Sequence, residues 1–453
     1  MTQNKQSAAM ERINGLLDAG SFVELGAYVT ARNTDFNLSA EQTPADGVLT
    51  GYGTIDSALV YVYSQDASVY GGAMGEMHAR KIVHIYEQAL KMGAPVIGLI
   101  DCAGLRLQEA TDALDAFGKL YQAQTMASGV VPQIQAIFGM CGGGMAVSAA
   151  LADFTFMESK NARLFVNSPN TVKGNHEDKC NCASADFQAK ETGLADFTGT
   201  QEEILAGIRE LVKMIPANNE DDDTFCECND DLNRLTTGIE LLEDKRDMLK
   251  MISDGYYFLE TGAAYAPEMI TGFIKVNGST VGALANADQL LTADACSKAA
   301  DFVDFCDAFG IPVLSLTDVK GYAQTMCTER HMAKAAATLT AVWAGATIPK
   351  VNLITGQAYG SAYLTMNSQS TGADMVYAWP AASIGTMDAK SAAEIICAGT
   401  DNKVSEVASQ YAQLQSSAQS AAARGYVDDI IEPAETRKRV AAAFEMLYTK
   451  RRG

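Results

Sequence analysis

Histidine is scarce in this chain: His78, His84, His176 and His331 are the only four in 453 residues. His78 and His84 stand six apart on one predicted helix, so they do not share a face, and both read as ordinary helix residues. A glycine-rich phosphate loop carrying a lysine is missing, and no GxGxxG opens the chain after a first strand. GxSxG is also missing, because Ser361 sits in AYGSAYL without a second flanking glycine. Paired carboxylates for acid–base work are not evident. Basic charge is in short supply too. The formal charge of −21 argues against nonspecific nucleic-acid binding, so an anionic ligand would need a local basic pocket or helix N-termini. No apolar stretch reaches the length of a membrane helix. The opening MTQNKQSAAMERINGLLDAG has mixed early charges and no apolar signal core.

Ten cysteines are present, several in apolar surroundings, such as Cys296, Cys306 and Cys397. This usage suggests a reducing cytoplasm. Cys180/Cys182 and Cys226/Cys228 have one-residue spacers in polar segments. Zinc sites use longer spacers, so the pairs read as surface thiols and no metal is expected.

What is present is an internal repeat. GAPVIGLIDCAGL from Gly93 is answered by GIPVLSLTDVKGY from Gly310, 217 residues later. Pro95 answers Pro312, Asp101 answers Asp318 and Gly104 answers Gly321. The same offset carries VPQIQAIFGMCGGG onto IPKVNLITGQAYGS, matching Pro132 to Pro349, Gly139 to Gly356 and Gly143 to Gly360. Two copies at a domain-sized period exclude a solenoid and imply a duplicated domain, with an active site built from two half-sites.

Each copy reads as hairpin, helix, strand, helix, strand, glycine turn, helix. That alternation predicts an α/β fold with mainly parallel pairing. The first hairpin turns at Ile55–Ser57, a helix ends at Gly93, and a second runs from about Leu107 to Gly129. Residues 1–45 read as a helical lead-in whose apolar positions run from Ile13 to Val23, with Gly20 as its stop. The first domain spans 46–216, an acidic linker 217–235, and the second domain 236–453.

Glycine-bearing turns follow buried strands in both copies: Gly104 and Gly321, then Gly142–Gly144 and Gly360–Ser361. A turn that opens a helix presents N–H groups with the positive end of the helix dipole behind them. Such a turn binds a phosphate or stabilises an oxyanion or enolate. With no acid or base in view, the arrangement suits chemistry through an enolate, on a substrate with an activated carbonyl such as a thioester. Asp101 and Asp318 end their strands and read as turn caps.

DGVLTGYGTI, YGGAMGEMHARKI, MASGVVPQIQAIFG, FCDAFGIPVLSLTDVKGY, IPKVNLITGQAYGSAY, DMVYAWPAASIGTM and ARGYVDDIIEPAETRKRV resemble the carboxyltransferase (beta) subunit of biotin-dependent acyl-CoA carboxylases and decarboxylases. The resemblance covers about residues 46 to 445. It implies two tandem crotonase-like (ββα spiral) domains. Acyl-CoA would lie on the first, against Gly71, Gly72, Ala103 and Gly104. Biotin would lie on the second, near Gly321, Tyr322 and Leu364. Gly143 and Gly144 would donate the N–H groups that hold the thioester enolate. Gly360, Ser361 and Ala362 would hold the ureido oxygen of biotin, which itself takes the substrate proton.

No biotin-attachment Met-Lys pair is visible, so the resemblance implies a separate biotin carboxyl carrier protein. It further implies a biotin carboxylase subunit or a membrane decarboxylase subunit as partner, and a dimer-based homo-oligomer, commonly a hexamer. The family's serine-glycine-glycine-alanine-arginine turn stands here as Cys102-Ala103-Gly104-Leu105-Arg106, and its proline-glycine-phenylalanine turn as Lys320-Gly321-Tyr322. Gln188 and Asp196 replace usual histidines, Ser361 a glycine and Leu364 a common aspartate. The alternatives are a decarboxylase subunit, which can be sodium-pumping, and a non-catalytic structural paralogue.

Overall fold

The computed structural model describes residues 7–32, 43–173, 181–221, 224–399 and 403–450. It divides into two compact units, Met1–Asp223 and Thr224–Gly453. The division falls within the acidic segment 217–235, and both sides of that segment are tied down. Asn218 Nδ2 donates to Gly93 O at 2.9 Å in the first unit, and the Cys226 N–H donates to Gly278 O at 3.0 Å in the second.

The first unit opens with α1 (Ala8–Leu16), which buries Ala9, Ile13 and Leu16 along one face under a Ser7 cap. The helix does not run on toward Val23. It stops at Leu17, and Val23 belongs to β1 (Val23–Leu25), an edge strand antiparallel to β2 (Val48–Ile55). Asp18 anchors the chain just past the helix end. Its carboxylate accepts the Ser57 N–H at 3.0 Å, the Thr54 hydroxyl at 2.8 Å and Arg209 at 3.0 Å. These donors hold the carboxyl well below its usual range.

β2 turns into β3 (Ala58–Gln65) through Asp56 and Ser57, both left-handed as a two-residue hairpin turn requires. α2 (Glu76–Met92) ends at Gly93, whose φ of 61° supplies the left-handed cap. Next come β4 (Val96–Cys102), α3 (Ala110–Ala127), β5 (Gln133–Gly142), α4 (Gly144–Ala150), β6 (Phe154–Glu158), β7 (Arg163–Phe165), α5 (Ala185–Lys190), β8 (Phe197–Gly199) and α6 (Gln201–Met214). The sheet order is β1-β2-β3-β4-β5-β6-β8, with β7 beside the end of β5. Pairing is parallel from β3 onward. Ile82, Ile85, Ile100, Leu120 and Ile137 are fully buried in the core, each contributing about 1.5–3 kcal/mol of burial.

The second unit repeats this order. It comprises α7 (Lys245–Ile252), β9 (Phe258–Thr261), β10 (Met269–Val276), β11 (Ser279–Asn286), β12 (Leu290–Leu291), α8 (Ala293–Ala308), β13 (Val313–Val319), β14 (Gly321–Tyr322), α9 (Met326–Gly345), β15 (Lys350–Tyr359), α10 (Gly360–Leu364), β16 (Met375–Ala378), β17 (Ser383–Gly385), α11 (Ala389–Ile396), α12 (Val404–Tyr411), α13 (Ala418–Ala423), β18 (Asp429–Ile430) and α14 (Thr436–Leu447). Its sheet order is β9-β10-β11-β13-β15-β16-β18, with β17 beside the end of β15.

The repeat therefore reaches beyond the segments that match in sequence. Asp254 follows α7 as Asp18 follows α1. It accepts the Gly278 N–H at 2.7 Å and Arg437 of the last helix at 2.5 Å. Lys81 and Lys298, 217 apart, are both buried and donate to carbonyls of the loop before the hairpin. Lys81 reaches Ala45 O and Val48 O; Lys298 reaches Gly262 O, Tyr265 O and Met269 O. The lead-in helix is thus the first element of the repeated unit.

Candidate active site

At the carboxyl end of each sheet the two central strands splay at a bulge, and an aspartate fills the gap. Asp101 Oδ1 accepts the Met140 N–H at 3.2 Å, and Asp318 Oδ1 accepts the Gln357 N–H at 2.8 Å. A Cβ at Gly139 or Gly356 would land on these carboxylates, so both positions require glycine. A cation from the opening helix backs each one: Arg12 lies 3.2 Å from Asp101, and Lys245 lies 3.8 Å from Asp318. Arg12 also stacks on Phe138, and Lys245 also donates to Thr355, the residue that matches Phe138 in the repeat. The two aspartates clamp the splayed strands.

Beyond the clamp of the first unit, three segments converge. Gly142 ends β5 and Gly143 follows it, and Ala103 and Gly104 follow the end of β4. Between them and α2 lies the 3₁₀ turn Tyr70–Gly72. Ala103 N–H donates to Gly71 O at 3.0 Å, and Met74 N–H donates to Gly104 O at 2.8 Å. A Cβ on Gly72 would strike Asp101 O, and one on Gly104 would sit 3.2 Å from Gly142 O. Gly71, Gly72, Ala103, Gly104, Gly143 and Gly144 are thereby brought to one wall.

One expected role changes. The Gly143 N–H does not face an open site; it donates to Phe165 O at 2.9 Å, where β7 meets the end of β5. Gly143 acts through its conformation, φ 60° and ψ −123°, which side chains resist. It swings the chain into α4, and the N–H groups of Gly144 and Met145 then have no acceptor within their own helix. Gly144 must also be glycine, since a Cβ there would meet Tyr121 Oη at 2.8 Å and the Phe117 ring at 3.0 Å. Tyr121 locks the turn by donating to Gly144 O at 2.7 Å.

In the second unit Gly360 has φ 59° at the matching position and opens α10. Ser361 is exposed, Ala362 is buried, and Leu364 is exposed on the same short helix. Tyr322 Oη lies 3.5 Å from Thr365 Oγ1 and so reaches the helix from β14. Gly321 departs from its counterpart. Gly104 has φ 117°, whereas Gly321 lies in ordinary strand conformation and a Cβ there would meet nothing within 4 Å. Tyr363 beside the turn is buried, and burial, then the Asp428 charge, pushes its hydroxyl up to about 12.

Two departures from the family pattern have structural work. Asp196 accepts the Thr155 N–H at 2.8 Å and returns its own N–H to Thr155 O, bracing β6. Asp428 does the same for Val376 in the second unit. Gln188 is buried and donates to Cys182 O at 2.8 Å.

His78 is not an ordinary helix residue. It is fully buried, with Nδ1 2.9 Å from Asp46 O and Nε2 3.1 Å from Gln65 Nε2. Burial, then the Arg106 and Lys81 charges, hold its pKa well below the usual value, so the ring is neutral. Beside it Arg106 is buried against Asp46 and Glu109. The cluster escaped sequence reasoning because its members are scattered; only the Arg106–Glu109 spacing hints at it.

Among the described residues no group of three or more His, Cys, Asp or Glu side chains could hold a metal. Cys180 and His176 lie outside those residues. Burial pushes the thiols of Cys102 and Cys296 up to about 11 and about 12, so neither is a ready nucleophile. No helix among the described residues is long and apolar enough to cross a membrane.

Comparison with known proteins gives the family and the fold. The carboxyl transferase domain matches residues 2–453. The propionyl-CoA carboxylase beta chain of Roseobacter denitrificans is 39% identical over 98% of this chain and 91% of the relative. The methylmalonyl-CoA decarboxylase subunit alpha of Veillonella parvula is 38% identical over 98% of this chain and 90% of the relative. Among solved structures, the transcarboxylase 12S hexamer with hydrolysed methylmalonyl-coenzyme A superposes with a TM-score of 0.93 at 37% identity. That match covers 99% of this chain and 91% of the other.

Proposed function

The chain belongs to the carboxyl transferase family, and on that premise we propose that it moves a carboxyl group between biotin, carried on a separate protein, and a short acyl-CoA. The observation that carries this reading is the pair of helix-opening glycines, Gly143 at φ 60° and Gly360 at φ 59°, one per crotonase-like unit. Each turn aims N–H groups with a helix dipole behind them. On the first unit Gly144 and Met145 hold the thioester oxygen as it gains charge, and Gly71, Gly72, Ala103 and Gly104 form the wall along the acyl-CoA. On the second unit the Gly360, Ser361 and Ala362 turn fits the ureido oxygen of biotin, flanked by Gly321, Tyr322 and Leu364. An oxyanion donor is worth about 3–4 kcal/mol of transition-state stabilisation.

Biotin supplies the carboxyl group and the base. The chain's own residues orient and stabilise, which accounts for a site built from backbone rather than from acids and bases. The protein acts as a homo-oligomer in a cytoplasmic complex, with a biotin carrier and either a biotin carboxylase or a membrane decarboxylase subunit. Relatives bear both carboxylase and decarboxylase names, so the direction of transfer belongs to the partner. The test is carboxyl exchange between malonyl-type CoA thioesters and free biotin. Biotin-dependent loss of methylmalonyl-CoA supports the reading. Absence of exchange with every such thioester, from folded protein, defeats it and leaves a structural paralogue.

A further inference from the structure

The first unit contains a device that the second lacks. Arg106 Nη1 pairs with Asp46 and, at 2.8 Å, with Glu109; Nη2 donates to Ala73 O at 2.9 Å. The Arg106 N–H donates to Met74 O at 2.9 Å. Glu109 Oε2 accepts the Glu76 N–H at 2.7 Å, capping α2, and Gly75 has no room for a Cβ against these two side chains. The guanidinium lies 5.9 Å from the Tyr70 ring centroid. One buried arginine thus joins the loop before β2, the turn into α2 and the turn after β4.

Strained backbone gathers around it. Ala45, Asp46 and Gly47 are all left-handed, with φ of 49°, 51° and 71°. So are Tyr70, Gly71 and Gly72, at 49°, 64° and 68°, and Ala110 beside Glu109, at 47°. Non-glycine residues hold such angles only where their surroundings over-determine them. The matching positions in the second unit carry Ala295, Ala323 and Met326 in place of His78, Arg106 and Glu109. There the same two segments are joined by the short β12–β14 ladder, the counterpart of the Met74–Leu105 bridge.

We propose that Arg106, with Asp46 and Glu109, is a positioning cluster that holds the strained Tyr70–Gly72 turn and the Ala103–Gly104 turn in the shape that receives the CoA thioester. A buried ion cluster adds little net stability. What it contributes is one fixed arrangement of three segments that would otherwise relax. The inference rests on the reading of the first unit as the acyl-CoA side.

The experiment compares the parent with Arg106→Met and Glu109→Gln, the latter keeping shape while removing the charge and turning one of the two accepting oxygens into a donor. Three quantities are measured: the Kd for methylmalonyl-CoA without biotin, kcat/KM for the same thioester, and KM for free biotin. Both variants should lose about a hundredfold in kcat/KM for the thioester, the scale of a ~1 Å misplacement, with a matching rise in Kd. KM for biotin should stay within about twofold of the parent. Equal losses on both substrates, or thioester parameters within about twofold of the parent, overturn the proposal. If Arg106→Met does not fold, Glu109→Gln decides. A parent that binds no CoA thioester refutes the underlying assignment instead, a result separate from variants losing what the parent has.

Discussion

The two halves of the chain keep the same clamp and differ in what they build around it. Asp101 and Asp318 each hold a bulge open, each against a glycine, and each with a cation from the opening helix. Beyond the clamp the first half is tightly determined: a triple-glycine turn, left-handed backbone at Tyr70–Gly72 and a buried arginine cluster. The second half has one positive-φ glycine at its turn, an exposed serine and leucine beside it, and plain strand pairing where the cluster would be. What duplication preserved is the device that opens the strands. What diverged is the wall proposed to meet a ligand, as expected if the halves serve different molecules.

The sharpest way to break this comparison is to remove both turns. Gly143→Val forces a branched side chain onto φ 60° and ψ −123°, and Gly360→Val does so where a Cβ would sit 3.1 Å from Thr386 O. Either should lower carboxyl transfer by at least about two orders of magnitude. Only the first should weaken acyl-CoA binding. Folded variants that transfer at the parent rate would refute the two-turn assignment.

Next in size is the clamp itself. Asp101→Ala strands the Met140 N–H and a nearly buried Arg12, and should cost about 2 kcal/mol in denaturant unfolding. Asp318→Ala should cost a similar amount, because Lys245 keeps Thr355 as partner but the Gln357 N–H is lost. A large cost in one half with none in the other would show that the clamps are not equivalent.

A smaller effect of opposite sign is expected at Ala110, whose φ 47° and ψ −118° suit glycine. Ala110→Gly should stabilise the protein by about 1 kcal/mol, read as a rise in Tm. An unchanged or lower Tm would show that the strain lies elsewhere.

The smallest effect separates a pair of matched aspartates. Asp153 accepts the Gln133 N–H at 2.7 Å with no ion-pair partner among the described residues, whereas Asp374 accepts the Lys350 N–H at 2.8 Å with Lys450 at 2.7 Å. Burial raises the Asp153 carboxyl to about 7. A carboxyl raised on folding destabilises fully above that pH and not at all below its unfolded value near 4. Asp153→Asn should therefore gain on the order of 1 kcal/mol or less at pH 8, with the gain fading between about pH 7 and 4. A gain independent of pH would contradict the assignment.

Much of this was legible in the chain. The constant offset predicts the duplicated α/β unit because the prolines that precede the strands, and the aspartates and glycines toward their ends, each answer a backbone requirement that both copies share. The lead-in helix was not recognisable as a repeated element. Arg12 and Lys245, Asp18 and Asp254, and Arg209 and Arg437 act alike, but loops of different length break their register. The helix-opening turn at Gly143 and Gly144 was legible; the engagement of the Gly143 N–H was not, because β7 takes it and no sequence pattern marks Phe165 as its acceptor. The Arg106 cluster was hidden for a related reason. Asp46, His78 and Glu109 look like surface residues one at a time, and only the fold brings them inside.

The central claim is that one half receives a CoA thioester and the other receives biotin. Incubating the purified protein with methylmalonyl-CoA and free biotin, and following both CoA products and carboxylated biotin, tests it most directly. Propionyl-CoA and carboxybiotin are expected in equal amounts, with neither formed when biotin is omitted. Thioester loss that proceeds equally well without biotin, or no loss with any malonyl-type thioester, would contradict it.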